Sequence, residues 1–283
     1  MQFTTLNNGV VIPLLGFGTF QIPNSKDCEA CVAYAIECGY RLIDTASLYK
    51  NEESIGSAVL HSGIKREDMI LTSKVWPQDH GYENTLQAFE QSRKNLGVDY
   101  IDLYMIHQPY GDYYGSWRAM EKLLQEGLVK AIGVCNFSAE RLVDFCMNQE
   151  VMPAINQVEI HPFFQQKDLI EIMEKYQIHQ EAWGPLCEGQ MGIFDNPTLK
   201  KIADEYDKTV AQIINRWHIQ KGNIIIPRSV QKSHIFENIS IWDFELSEKD
   251  MYRIELMDLG HSEIIDHCKP STAKWINEWK IHD

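Results

Sequence analysis

The sequence has no apolar run approaching 18 residues, so it offers no membrane-spanning helix. It has no basic run longer than two residues, and 26 Lys+Arg against 40 Asp+Glu leave a net charge of −14. A face for nucleic acid or anionic lipid needs clustered base, so neither partner is expected. The opening Met1-Gln2-Phe3-Thr4-Thr5 lacks a charged stretch followed by an apolar one, so no secretory signal is expected. Seven cysteines, an odd number without a framework, give no disulfide scaffold and point to a reduced, cytoplasmic protein. Cys28-x-x-Cys31, with Cys38 beyond, has no second pair at zinc-finger spacing and sits at helical intervals, which reads as packing. His267-Cys268 has no further ligands nearby, and His-Glu-x-x-His is absent, so no metal is expected. Gly-x-Ser-x-Gly is missing too, which speaks against acyl transfer.

What remains is a chain that is 44% hydrophobic over 283 residues, enough for a large core. Phe3–Leu6 and Val10–Ile12 flank Asn7-Asn8-Gly9, a hairpin signature. Apolar runs then alternate with helical stretches. Strands are expected at 14–16, 41–44, 69–74, 101–107, 129–134, 153–159, 179–183 and 224–227. Helices are expected at 26–37, 52–61, 82–96, 116–125, 139–148, 167–176, 198–206, 210–220, 233–238 and 248–259. Strands alternating with helices demand parallel pairing. Eight such units predict a closed (β/α)8 TIM barrel, one domain over 1–283, with an N-terminal hairpin and a short C-terminal tail. An open doubly wound sheet is the alternative, but Gly16-Phe17-Gly18-Thr19 does not complete the Gly-x-Gly-x-x-Gly phosphate turn.

Seven strands finish on polar or aromatic residues: Asp44, Lys74, His107, Asn136, Gln157, Trp183 and Arg228-Ser229. In a parallel barrel these ends share one mouth, the face that carries active sites. Buried Lys74 needs a partner, and Asp44 suits it. Tyr49, five residues after Asp44, is a poor acid when free; a nearby ammonium would release its proton more readily. With His107 to hydrogen-bond a substrate oxygen, the set suits proton donation to a carbonyl oxygen as its carbon is reduced.

These residues lie in the stretches Gly39-Tyr40-Arg41-Leu42-Ile43-Asp44-Thr45-Ala46, Leu71-Thr72-Ser73-Lys74-Val75-Trp76 and Asp99–His107. Others are Gly133-Val134-Cys135-Asn136-Phe137, Asn156-Gln157-Val158-Glu159-Ile160-His161-Pro162, Ala182-Trp183-Gly184-Pro185-Leu186 and Ile226-Pro227-Arg228-Ser229. Together they resemble the aldo-keto reductases over essentially the whole chain, and most the microbial branch with 2,5-diketogluconate, methylglyoxal and prostaglandin F reductases. The resemblance implies a (β/α)8 barrel and hydride transfer from NADPH to an aldehyde or ketone. Asp44, Tyr49, Lys74 and His107 match the catalytic tetrad, with Tyr49 the general acid. Asn136 and Gln157 would hold the nicotinamide carboxamide, and Trp183 would stack on the ring. Gly18, Thr19, Gly184 and Leu186 would line the cofactor path. Arg228 and Ser229 would grip the 2′-phosphate, with Glu237 and Asn238 near the adenine. Phe20, Trp76 and His107 would wall the substrate pocket, with Tyr110–Tyr114 above it. A monomer is implied.

Three departures matter. Cys135 stands where many members carry Ser, which would soften one contact to the carboxamide. Arg228 replaces the commoner Lys and adds a fork suited to phosphate. His234 replaces a second Arg and supplies less positive charge, so NADP preference should be weakened and NADH accepted. The short tail implies an open pocket. The rival readings are a cofactor-binding regulatory barrel without turnover and a metal-dependent barrel hydrolase; the complete tetrad argues against the first, the lack of convergent metal ligands against the second.

Overall fold

A computed structural model describes residues 1–22 and 26–283. The chain opens with β1 (Phe3–Thr5) and β2 (Val11–Pro13), paired antiparallel. Gly9 takes φ 87°, which a residue with a Cβ adopts only under strain. Asn7 and Asn8 donate from their side-chain amides to the carbonyls of Pro153 and Lys130, at 2.9 Å each. Both acceptors lie at the N-terminal ends of barrel strands, so the hairpin covers the floor.

Eight parallel strands follow in sequential order: β3 (Phe17–Gly18), β4 (Leu42–Asp44), β5 (Ile70–Val75), β6 (Ile101–Ile106), β7 (Val129–Cys135), β8 (Ile155–Glu159), β9 (His179–Trp183) and β10 (Ile224–Ile225). The barrel closes where Leu15 bridges Ile225 in parallel, Gly16 N–H donating to the Ile225 carbonyl at 2.8 Å. The first strand therefore differs from expectation. Residues 14–16 pair with β10, and Phe17–Gly18 form the ladder with β4. One extended run serves two neighbours in succession. Gly16 is required there: a Cβ would lie 2.5 Å from the Leu42 side chain.

The intervening helices are α1 (Lys26–Glu37), α2 (Glu52–His61), α3 (Tyr82–Leu96), α4 (Tyr113–Gln125), α5 (Ala139–Met147), α6 (Lys167–Lys175), α7 (Pro197–Tyr206), α8 (Val210–Gln220), α9 (Lys232–Ile239) and α10 (Glu248–Glu255). α4 begins three residues earlier than its apolar period suggests, because Asp112 caps it by accepting from Gly115 N–H at 2.8 Å. Thr209 and Gln212 form a reciprocal capping box at the start of α8. Cys28 and Cys31 face the core from α1. The tail holds α11 (Pro270–Glu278), absent from the expected elements.

His80, His107 and His218, all buried, and the half-buried His267 make stability sensitive to mild acid. Burial lowers His218 to about 3 and His267 to about 4, and holds His107 well below and His80 below the ordinary value of 6.5. Between folded and unfolded values the unfolded chain binds more protons, so stability rises with pH. It is complete above about 6.5 and is lost as pH falls toward the folded values. Urea midpoints should therefore decline below pH 6.5, before carboxylates titrate. A flat midpoint from pH 7 to 5 would contradict this.

Candidate active site

Asp44 ends β4 and Lys74 lies near the end of β5, both fully buried. Lys74 Nζ donates to both Asp44 oxygens at 2.7 Å and to the Thr45 carbonyl at 3.0 Å. Burial opposes the ammonium, but Asp44, with smaller contributions from Tyr49 and Cys135, keeps Lys74 above its ordinary value. The 3-10 turn Ser47–Tyr49 follows β4 and is pinned by Ser47 Oγ donating to the Lys74 carbonyl at 3.0 Å. That turn brings the Tyr49 hydroxyl 3.5 Å from Lys74 Nζ.

Electrostatics sharpens one expectation and reverses another. Burial pushes the Tyr49 phenol well above the ordinary tyrosine value; Lys74 pulls it down without prevailing, and Asp44 adds to the rise. The resting phenol is protonated, the form an acid requires. An ammonium at that distance favours a phenolate electrostatically, but it does not ionise the phenol at rest. His107, just past β6, packs edge-on against Tyr49 and Trp76, with ring centres 5.6 and 5.1 Å away. Burial, then the Lys74 charge, keep its imidazole neutral. Its Nδ1 is buried without a partner among the described residues, so Nε2 is the nitrogen that opens outward.

A cleft of about 1150 Å³ runs from these groups across the mouth. Gly18, Phe20, Asp44, Tyr49, Trp76, His107, Asn136, Gln157, Trp183, Gly184, Leu186, Arg228, Ser229, His234, Glu237 and Asn238 all line it. Asn136 adopts φ 61° just after β7, where its Oδ1 accepts from Trp183 Nε1 at 2.8 Å and its Nδ2 donates to the His107 carbonyl at 3.2 Å. The indole is thus held by its edge, its face left for a flat partner. At the far end Arg228 donates to the Phe20 and Gln21 carbonyls at 3.0 and 3.1 Å. Three of its five N–H groups stay available. Glu237 Oε1 accepts from Thr209 Oγ1 at 2.6 Å, which orients it at the rim.

Four expectations need correction. Thr19 is fully buried and off the cleft; its hydroxyl donates to the Asp44 carbonyl at 2.8 Å, so it supports the site rather than lining it. Cys135 does not reach the cleft either. Strand alternation turns it into the barrel, its thiol 3.9 Å from Met105 Sδ. The 110–114 stretch is not on the lining: Tyr110 OH donates to the His267 carbonyl at 2.7 Å, and Tyr113 and Tyr114 pack on Phe145. The tail does not leave the pocket open. Trp76 Nε1 donates to the Trp279 carbonyl at 2.8 Å, Trp275 stacks against Trp279 at 5.3 Å, and both tryptophans line the cleft. Ser262 Oγ anchors the tail to Glu159 at 2.7 Å, and Gln78 Oε1 accepts from Ile281 N–H at 2.7 Å. The Trp275 and Trp279 spacing, one helical turn apart after Pro270, is the signal that could have revealed this helix. Among the described residues no cluster of three or more His, Cys, Asp or Glu is placed to hold a metal ion, and no helix is long and apolar enough to cross a membrane.

A (β/α)8 barrel whose mouth carries this Asp, Tyr, Lys and His set defines an oxidoreductase-type site, and residues 14–258 match the model of the aldo/keto reductase family. The chain belongs to that family. It is 46% identical over 254 residues to glyoxal reductase of Bacillus subtilis (strain 168), covering 89% of this chain and 91% of that protein. It is 42% identical over 258 residues to methylglyoxal reductase DkgA of Escherichia coli (strain K12), covering 90% and 93%. A crystal structure of Bombyx mori aldo-keto reductase in complex with NADP superposes with a TM-score of 0.87 at 34% identity, covering 94% of this chain and 95% of that one.

Proposed function

We propose that the protein reduces aldehydes and ketones to alcohols with NADPH. The observation that carries this is a phenol 3.5 Å from an ammonium that two carboxylate oxygens hold at 2.7 Å, at the floor of a cleft. Binding alone does not need such a poised acid. The cleft exceeds the volume of ordinary small-ligand pockets, which suits a dinucleotide lying beside a substrate. The donor set suits it too: Asn136 and Gln157 for a carboxamide, the Trp183 face for the ring, and Arg228 and Ser229 for a 2′-phosphate. Bound there, the nicotinamide supplies hydride to the carbonyl carbon.

This chain's own residues do the rest. His107 Nε2–H orients the carbonyl oxygen toward Tyr49. Tyr49 gives its proton to that oxygen as negative charge develops. Lys74 stabilises the phenolate left behind, and Asp44 holds Lys74 in place. Phe20, Trp76, Trp275 and Trp279 form an apolar surround, so carbonyls of modest size and low charge fit best. Small dicarbonyls, the substrates for which two relatives are named, are the first to try. Purified protein with methylglyoxal and NADPH should consume the nicotinamide absorbance. NADPH binding without consumption across an aldehyde panel would leave a regulatory barrel instead.

The proposal extends to a single barrel domain over 1–283, acting as a cytoplasmic monomer without nucleic acid or membrane partners. The charge of −14 supports this. Light scattering tests the monomer.

Cofactor preference follows from His234, which lines the phosphate end where a second Arg would add a fork. The kcat/KM ratio of NADPH to NADH should stay below a thousand. His234→Arg should raise it about tenfold, through KM for NADPH. A wild-type ratio above a thousand would overturn the softened preference.

A further inference from the structure

Among the groups that the proposed mechanism leaves unused, one buried carboxyl lies against the site. Glu181 occupies the middle of β9 and is fully buried. Strand register sets Cys135 opposite Gln157, and Gln157 opposite Glu181, so three side chains share one level inside the barrel. Gln157 Nε2 donates to Glu181 Oε1 at 3.2 Å and to Asp44 Oδ1 at 3.0 Å. Both hydrogens of one amide nitrogen are thereby engaged. The second oxygen of Glu181 is buried and has no hydrogen-bond partner among the described residues.

That arrangement is costly as packing. A buried carboxyl with an unpartnered oxygen destabilises a core that an apolar residue of similar size would fill without penalty. Asp44 and Glu181 also face a single cation, Lys74. Burial, and then the Asp44 charge, raise the Glu181 carboxyl, which is what a second acid beside one ammonium should show. What the arrangement provides is direction. An amide whose nitrogen is held inward by two carboxyl groups must turn its oxygen the other way. Gln157 lines the cleft together with Tyr49 and Trp183, and its Oε1 makes no hydrogen bond to the described protein groups and is not among the buried unpartnered atoms, so this oxygen is open to the cleft.

We propose that Glu181 is a positioning residue for the nicotinamide end of the cofactor. It fixes the Gln157 amide so that Oε1 is presented as an acceptor to the carboxamide N–H, and so sets the face of the ring that looks toward Tyr49. Asp44 alone would not do this, since it engages only one of the two hydrogens. The inference rests on the reading that this cleft binds NADP(H).

The test compares NADPH with 2′-phospho-ADP-ribose, the same molecule without nicotinamide, by quenching of tryptophan fluorescence in the absence of substrate. Glu181→Ala should weaken NADPH about tenfold and leave 2′-phospho-ADP-ribose within twofold. Glu181→Gln, which keeps an acceptor oxygen for Gln157, should restore most of the NADPH affinity. In a Gln157→Ala background, Glu181→Ala should add no further loss. Equal weakening of both ligands, or of neither, in a Glu181→Ala protein with a wild-type circular dichroism spectrum would overturn the proposal. So would a full additional loss in the Gln157→Ala background. If wild-type protein binds neither ligand, the cofactor reading itself falls, which is a separate result.

Discussion

Replacing Tyr49 by Phe is expected to lower kcat about a thousandfold while NADPH binding stays within about threefold of wild type. The substitution removes one oxygen and keeps the ring, which touches Phe20 and His107 at 5.1 and 5.6 Å between centres. The pocket wall therefore persists and the proton does not. His107 cannot take over, because burial, and then the Lys74 charge, keep its imidazole neutral, and a neutral imidazole is a poor acid. Lys74 cannot either, because Asp44 and the Thr45 carbonyl engage its protons away from the cleft. Stopped-flow mixing with an aldehyde locates the loss in the chemical step. A Phe variant that keeps more than about a tenth of wild-type kcat would remove Tyr49 from the role of acid.

Lys74→Met should have the largest combined effect, on stability and turnover together. It takes the cation from between Asp44, Tyr49 and Glu181 and leaves acids inside the barrel. Breaking one side of a buried pair costs about 3–5 kcal/mol, which lowers Tm by on the order of 10 °C. Turnover should fall at least about a hundredfold, since nothing then stabilises the phenolate. The double variant Asp44→Asn/Lys74→Met separates the effects. It should regain more than half of the lost stability, because no charge is left unpaired at the Asp44 position, and none of the activity. Urea melts of the four proteins form the cycle. A Lys74→Met variant that melts with wild type would contradict the geometry of the pair.

Much of the site was legible because a parallel barrel turns sequence position into spatial position. Asp44 and Trp183 end strands, His107 and Asn136 directly follow one, Gln157 lies within β8, and each lines the same cleft. Helix periods gave most element bounds within a few residues. Missed features have a common cause: they depend on which chain segment lies alongside, not on local pattern. Glu181 alternates on β9 like any inward residue, and its meaning comes from Gln157 and Asp44 on other strands. Cys135 sits next to Asn136 in the chain, but the strand turns the two side chains apart. The tail between Leu259 and Pro270 is mostly polar and irregular, so it reads as an end, although Tyr110 and Glu159 hold it, and Trp76 holds the end of α11 beyond it, over the mouth. The spacing of Lys74 and Tyr49 predicts a proton that leaves more readily; desolvation by the surrounding side chains decides that balance the other way at rest, and no spacing rule records it.

Closure of the barrel through Leu15 and Ile225 also carries a consequence for biosynthesis. The two partners are 210 residues apart (225 minus 15). At about 5–20 residues per second, the ribosome exposes the first strand roughly 10–40 s before its partner exists. Throughout that interval the nascent sheet has an open edge at Leu14–Gly16, the kind of edge that pairs with other chains. Arg228 and Ser229 emerge later still, after the strand that seals the ring. The floor hairpin, made first of all, meets its partners Lys130 and Pro153 sooner, so of these two early elements the strand edge at Leu14–Gly16 is the one that waits longer.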